Sequence, residues 1–182
     1  MPVWIQEIDG ALLLFLQSIR LSLLDPLVLC YTHLGDAGVL WIVLSLLLLC
    51  RPKTRKAGLL ALCAMALGLL CNNMILKRLV QRPRPWLVVA GLQPLTAPPD
   101  PNSFPSGHTC AAFAAALSWR HTLPWRQAGW VGVAMAVLMG FSRLYVGVHF
   151  PTDVLAGGLM GTLCAWAVWQ GERTLTNRER PV

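Results

Sequence analysis

Three stretches of this chain carry ionisable side chains at spacings that could handle a phosphate. The first is Lys77-Arg78-Leu79-Val80-Gln81-Arg82-Pro83-Arg84-Pro85. Lys77 closes an uncharged apolar run, and Pro83 and Pro85 stop any helix there, which leaves Arg84 on a rigid turn. Arg offers a phosphate a bidentate fork and Lys a point charge. The same residues would also serve as a basic anchor against lipid headgroups. The second stretch is Phe104-Pro105-Ser106-Gly107-His108, ahead of the apolar run that opens at Thr109. Ser106 suits a helix N-cap, and Gly107 leaves the backbone open to an approaching ligand. The amides and dipole of that helix start favour an anion, and His108 in the first turn can give up a proton near neutral pH. An ordinary capped helix with an incidental histidine would read the same way. The third stretch runs from Ser142-Arg143 to His149-Phe150-Pro151-Thr152-Asp153. Pro151 suits the first helical position and puts Asp153 in the first turn. At a separation of four, the carboxylate can reach the His149 imidazole, fix one ring nitrogen as a donor and leave the other free as a nucleophile. A surface His–Asp bond beside an anchoring Arg143 is the alternative.

The composition says what must hold these groups. Of 182 residues, 55% are hydrophobic and 13% charged, about half the charged share of a soluble domain. Too few charges remain to cover a water-facing surface, which excludes a soluble enzyme and a disordered chain alike. The net charge of +7 lies in short clusters between apolar runs. No basic stripe follows a polar helix face, so no nucleic-acid partner is expected. The expectation is one all-α domain over residues 1–182, a polytopic membrane helical bundle of about six transmembrane helices with a short extracytoplasmic loop region. The spans read as Ala57–Leu76, Val154–Gly171, Gln127–Ser142, Thr109–Trp119 and Gly38–Cys50, the last preceded by the weaker Pro26–Leu34. Ile5–Ile19, with Glu7 and Asp9, either crosses or lies in the interface. No secretory cleavage site is evident, so the N-terminus is expected to be retained.

Positive loops stay cytoplasmic. Arg51, Lys53, Arg55 and Lys56 form one cluster, Arg120 and Arg126 a second, and Arg173, Arg178 and Arg180 a third. With these inside, the segments 77–105 and 143–153 fall on the outer face of the cell membrane. Lys77, Arg78, Arg82 and Arg84 oppose the rule there, which gives them the expected task of binding an anion. The loop 81–105 holds Pro83, Pro85, Pro94, Pro98, Pro99, Pro101 and Pro105 and cannot be helical throughout. The scattered cysteines form no CxxC pair and read as small buried apolar residues. Asn72 and Asn73 are expected to bridge helices, Gly157 and Gly161 to let helices pack closely within the monomer, and Trp86, Tyr145 and Phe150 to mark the outer interface. His33 and His121 have no evident partner.

Two histidines, three basic residues and one aspartate would thus meet on one membrane face, where ionisable groups are functional by default. Lys77 through Arg84-Pro85, Pro105-Ser106-Gly107-His108, and Ser142-Arg143 through His149 to Asp153 resemble the three-part signature of the type 2 phosphatidic acid phosphatase superfamily. The spacing is complete, with no departure at a signature position. The resemblance implies an integral membrane lipid phosphatase that needs no metal or other cofactor. It implies His149 as the nucleophile forming a phosphohistidine, Asp153 orienting it, and His108 as the general acid. It implies Lys77, Arg84 and Arg143 clamping the phosphoryl oxygens, with Ser106 and the Gly107 amide. That agrees with phosphoryl transfer as positioning plus electrostatic stabilisation. Asp153 and Asp100 are the only acids near the motifs, too few for a two-magnesium site.

The chain is similar to small bacterial undecaprenyl-diphosphate phosphatases and phosphatidylglycerophosphate phosphatases, and an outer site favours the first. The expected partners are the lipid phosphate substrate and membrane lipids. Phosphatidate hydrolysis, a lipid phosphotransferase, and an anionic-lipid binding or transport protein are the rivals. A vanadate-dependent oxidase shares a similar anion pocket, but those relatives are soluble.

Overall fold

The computed structural model describes residues 2–98 and 100–178, with the side chain of Arg178 left out. Pro99 and Arg180, both named above, lie outside the described residues. The helices are α1 (Val3–Ser18), α2 (Asp25–Leu34), α3 (Val39–Leu49), α4 (Arg55–Gly68), α5 (Lys77–Val80), α6 (Pro85–Val88), α7 (Gly107–Thr122), α8 (Arg126–Tyr145) and α9 (Pro151–Arg178). Wider π-type turns over Leu69–Leu76 join α4 to α5 into one continuous rod. Among the described residues there is no β-strand, only an isolated antiparallel bridge between Pro83 and Asn102.

The bundle is built around α7, which packs against α4, α8 and α9. Ala112, Ala114, Ala115 and Ala116 are completely buried along it. Such small side chains let neighbouring backbones approach, as they must where lipid supplies no hydrophobic drive between helices. The partner surface on α9 is made by Gly157 and Gly161. A Cβ there would stand 2.4 Å from the Ser106 carbonyl oxygen and 2.3 Å from that of Cys110. The expected close packing within the monomer is therefore present. Trp41 and Trp119, with ring centroids 5.7 Å apart, fill the space beside the alanines. Outside, Leu46, Leu47, Leu59, Leu69, Leu138, Leu155, Leu159 and Leu163 are exposed around the rods, an apolar surface suited to lipid and far larger than water tolerates.

Among the described residues, three helices are long and apolar enough to cross a bilayer: Arg55–Val80, Arg126–Tyr145 and Pro151–Asn177. A fourth is added if Asp25–Leu34 and Asp36–Leu49, bent by 52°, count as one broken span. The expected six is not reached by this measure. The shortfall at α7 has a physical reason: its 16 residues are wrapped by protein and need not be apolar enough to meet lipid. The other shortfall is α1. Asp9 in its first half bonds Arg82 and Thr152, and Gln17 near its end bonds Gly91 and Gln93. All four partners lie at one end of the bundle, so α1 lies across that end instead of running through it.

At the opposite end Lys56 pairs with Glu172 at 2.7 Å and His121 stacks on Trp169. Lys56, Arg120 and Arg173, one from each basic cluster, therefore share that end. Two smaller expectations fail. Only Cys110 and Cys164 are buried, while Cys30, Cys50 and Cys63 are exposed on the bundle surface. Tyr145 and Phe150 are buried at the α1 end, not placed at a rim.

Candidate active site

The loops between α5 and α7 fold back over the α1 end. Gln81, at φ +47°, ends α5 in a left-handed turn. Arg84 then donates its amide to the Pro101 carbonyl, and the Ser103 amide donates to the Arg82 carbonyl. This stitch fixes the two arginines in opposite directions, one into a cavity and one beneath it.

The cavity has a volume of about 760 Å³ and is lined by Lys77, Arg84, Gly107, His108, Arg143 and His149, with an apolar wall from α3, α4 and α7 that includes Ile42, Leu62 and Met65. Residues from sequence-distant stretches thus share one wall, and both histidines face the same space. Arg84 is the hub. Its Nη1 donates to the Val148 carbonyl at 2.9 Å and to His149 Nε2 at 3.0 Å, and its Nε donates to the Asp100 carbonyl at 3.0 Å. A guanidinium can only donate. Nε2 of His149 must therefore carry its lone pair, and the ring proton sits on Nδ1. That nitrogen faces Asp153 Oδ2 at 3.7 Å, longer than a hydrogen bond, and has no other partner among the described residues.

Asp153 is completely buried and fully engaged. Its Oδ2 accepts from the Phe150 amide at 2.8 Å and its Oδ1 from Arg82 at 2.7 Å. Arg82 also bonds Thr152 and, through Nη2, Asp9 at 2.8 Å, and its guanidinium lies 3.8 Å over the Phe150 ring. Asp9 in turn accepts from the amide and the hydroxyl of Thr152. Arg82 is thus neutralised by two carboxylates and is not free for an anion, contrary to the expectation from its charge.

Ser106 is the N-cap of α7, as expected, but its hydroxyl accepts from Thr109 and stands behind the cavity wall. Its amide donates to the Asp153 carbonyl at 3.0 Å, tying the two motifs together. Gly107 is required by Asn73, whose Oδ1 would lie 3.0 Å from an added Cβ. Asn72, buried beside it, donates to Asn73 and to the Pro105 carbonyl. Arg143 is buried, with Nη1 bonded to Thr32 of α2 at 2.6 Å and Nε without a partner among the described residues. Lys77 holds Asp100 Oδ2 at 2.5 Å.

The charges act on one another. Burial, and then the Arg84 and Arg143 charges, hold His149 well below the usual histidine value of 6.5. Burial lowers Arg84, with Asp100 and Asp153 opposing. Burial alone would raise Asp100, but its bonds from Lys77 and the Asn102 amide outweigh that and leave it below the usual carboxylate value.

Asp9 and Asp36, each delivered by a distant element, are marked by no motif in the sequence, and His33, without an evident partner there, is bonded to Asp36 at 2.9 Å. The positive φ of Ala37, next to Asp36, is a structural signal that sequence does not carry. No group of three or more His, Cys, Asp or Glu able to hold a metal occurs among the described residues.

Residues 57–177 match the family described as the PAP2 superfamily. The chain is 34% identical over 157 residues to the undecaprenyl-diphosphatase of Sulfolobus acidocaldarius, an alignment covering 85% of this chain and 74% of that one. The crystal structure of a transmembrane PAP2 type phosphatidylglycerolphosphate phosphatase from Bacillus subtilis superposes with a TM-score of 0.77 at 30% identity, over 95% of this chain and 88% of that one. Aquifex aeolicus LpxE superposes with a TM-score of 0.78 at 27% identity, over 88% and 93%. The matched segment begins before Lys77 and ends after Asp153, so it contains the whole basic wall and both histidines, and the chain belongs to the PAP2 superfamily as a membrane lipid phosphatase.

Proposed function

We propose that this phosphatase hydrolyses a lipid diphosphate, undecaprenyl diphosphate, through a phosphohistidine at His149, in a single domain whose cavity opens to the extracytoplasmic face of the cell membrane. The observation that carries the reading is the Arg84–His149 bond, which leaves a neutral imidazole with its lone pair on the nitrogen that faces a cavity walled by Lys77, Arg84 and Arg143.

The terminal phosphoryl group sits against these cations, displacing the Asp100 carboxylate from Lys77. Charge spreads over the equatorial oxygens as the bond to the leaving oxygen lengthens, and the fixed cations and the Gly107 amide stabilise it. Ser106 holds that amide in place by capping α7. Arg84 turns Nη1 from His149 onto a phosphoryl oxygen, which frees the Nε2 lone pair. Nε2 then attacks in line while Asp153, 3.7 Å from Nδ1 before substrate binds, steadies the proton there. His108 protonates the leaving oxygen and then takes a proton from the water that cleaves the phosphohistidine. The apolar wall formed by Ile42, Leu62 and Met65 accommodates the start of the lipid tail. An outward opening is favoured because Lys56 and Arg173 lie at the other end, where positive charge marks the cytoplasm.

The named activity of the Sulfolobus relative supports the diphosphate, and the Bacillus structure supports phosphatidylglycerophosphate as the second reading. A phosphate-release panel with undecaprenyl diphosphate, phosphatidate and phosphatidylglycerophosphate, run with chelator present, separates them. A His149→Ala protein that binds substrate but loses at least about 1,000-fold in turnover supports the covalent route. One that binds and still turns over refutes it.

A further inference from the structure

Asp36 sits in the short turn Asp36–Gly38 between α2 and α3, ahead of the segment that matches the family. Its Oδ1 lies 2.8 Å from His108 Nε2 and its Oδ2 lies 2.9 Å from His33 Nδ1. The turn holding it is strained: Ala37 has φ +50° and ψ 15°, a left-handed conformation that side chains avoid and that tends to persist where function needs it. Gly35, before it, lets Met139 and the ring of His108 lie against the backbone, since a Cβ there would be 2.7 Å from Met139 Sδ and 2.9 Å from His108 Cδ2. The other ring nitrogen of His108, Nδ1, has no protein partner among the described residues, and the ring lines the same cavity as His149.

We propose that Asp36 is the positioning residue of His108, accepting a hydrogen bond from Nε2–H so that Nδ1 is the nitrogen that exchanges a proton with the substrate. This rests on the phosphatase reading above. A carboxylate on Nε2 fixes the tautomer and stabilises the imidazolium, as a third group does for the base of a hydrolytic triad. In the first half-reaction the lone pair of His149 Nε2 forms a bond to phosphorus as the bond from phosphorus to the leaving oxygen breaks, the latter's electron pair stays on that oxygen, and the His108 Nδ1 proton moves to it. In the second half, water attacks phosphorus, its proton goes to Nδ1, and the P–N bond electrons return to His149. The proton on Nε2 stays there throughout, held by its hydrogen bond to the Asp36 carboxylate. His33 occupies the other oxygen and keeps the carboxylate from rotating away. The other charged groups facing the cavity are Arg143 of α8 and Arg84 of the loop, with His149, Lys77 and Asp100 across from His108. Asp100 is paired with Lys77, so among the described residues Asp36 is the carboxylate that touches His108 and favours the protonated acid.

The test uses the full-length protein in detergent and two substrates: phosphatidate, whose alkoxide leaving group needs a proton, and p-nitrophenyl phosphate, whose phenolate does not. For Asp36→Asn, kcat/KM, which ends at release of the leaving group and so omits the water step common to both substrates, falls roughly 10–100-fold on phosphatidate and less than about 3-fold on p-nitrophenyl phosphate. The alkaline limb of the kcat/KM profile on phosphatidate moves to lower pH, Asp36→Glu recovers part of the rate, and Asp36→Asn adds nothing to His108→Ala. Equal losses on both substrates, an unshifted limb, or additive losses in the double variant would overturn the assignment and leave only a structural role. If the unaltered protein releases phosphate from neither of these nor from undecaprenyl diphosphate, the phosphatase reading falls and this one with it. If it does, and Asp36→Asn matches it, the role of Asp36 alone is lost.

Discussion

Removing the carboxylate of Asp9 tests how α1 is held and what supports Asp153. Asp9 and Arg82 are only 2% and 6% exposed. Arg82 divides its guanidinium between Asp9 at 2.8 Å and Asp153 at 2.7 Å, and Thr152 adds its amide and hydroxyl to Asp9. Asp9→Ala leaves half of a desolvated guanidinium and the Thr152 amide unpaired. Breaking a buried pair from one side costs about 3–5 kcal/mol. At roughly 2–4 °C per kcal/mol for a chain of this size, the melting midpoint should fall by about 6–20 °C. Thermal unfolding in detergent, followed by tryptophan fluorescence, measures it. Glu7→Ala, on the exposed face of the same helix, is the control and should move the midpoint by no more than about 2 °C. Asp9→Asn keeps the oxygen that faces Thr152 and should fall between the two. An Asp9→Ala protein that melts within about 2 °C of the unaltered chain would refute the clamp and the argument that Arg82 is a spent charge.

Two further expectations concern the site and its scaffold. His149 is held well below 6.5, so its neutral, nucleophilic form persists as pH falls through that value. The acid limb of kcat/KM set by His149 should therefore lie below pH 6.5, and a limb at or above 6.5 would contradict the electrostatic account. Gly161→Ala pushes a Cβ to 2.3 Å from the Cys110 carbonyl and should cost about 1–3 kcal/mol, read as a lower melting midpoint. An unchanged midpoint would show that α7 and α9 are not in contact there.

The motif spacing was enough to bring together the cavity wall, because Lys77, Arg84, His108, Arg143 and His149 each sit at a helix end that the sequence marks with Pro, Gly or Ser. Their supports were not legible. Asp9 reaches Arg82 across 73 positions and Asp36 reaches His108 across 72, and each looks in sequence like a polar flank of an apolar run. Arg82 is indistinguishable from Arg84 by type, and only the fold turns one under the cavity and the other into it. Hydropathy also assumes that every apolar helix meets lipid. α7 breaks that assumption because protein surrounds it, and the exposed Cys30, Cys50 and Cys63 break its converse, since a small apolar residue in a membrane helix can face lipid as readily as the core.

The central claim is that phosphate passes through the imidazole of His149. Rapid acid-free quenching of the enzyme during turnover of substrate labelled in the terminal phosphoryl group, followed by peptide mass spectrometry, tests it most directly. The expected result is an acid-labile, base-stable phosphoryl group on His149, absent from His149→Ala and from a quench without substrate. Label on another residue, or full turnover with none on the protein, would contradict it.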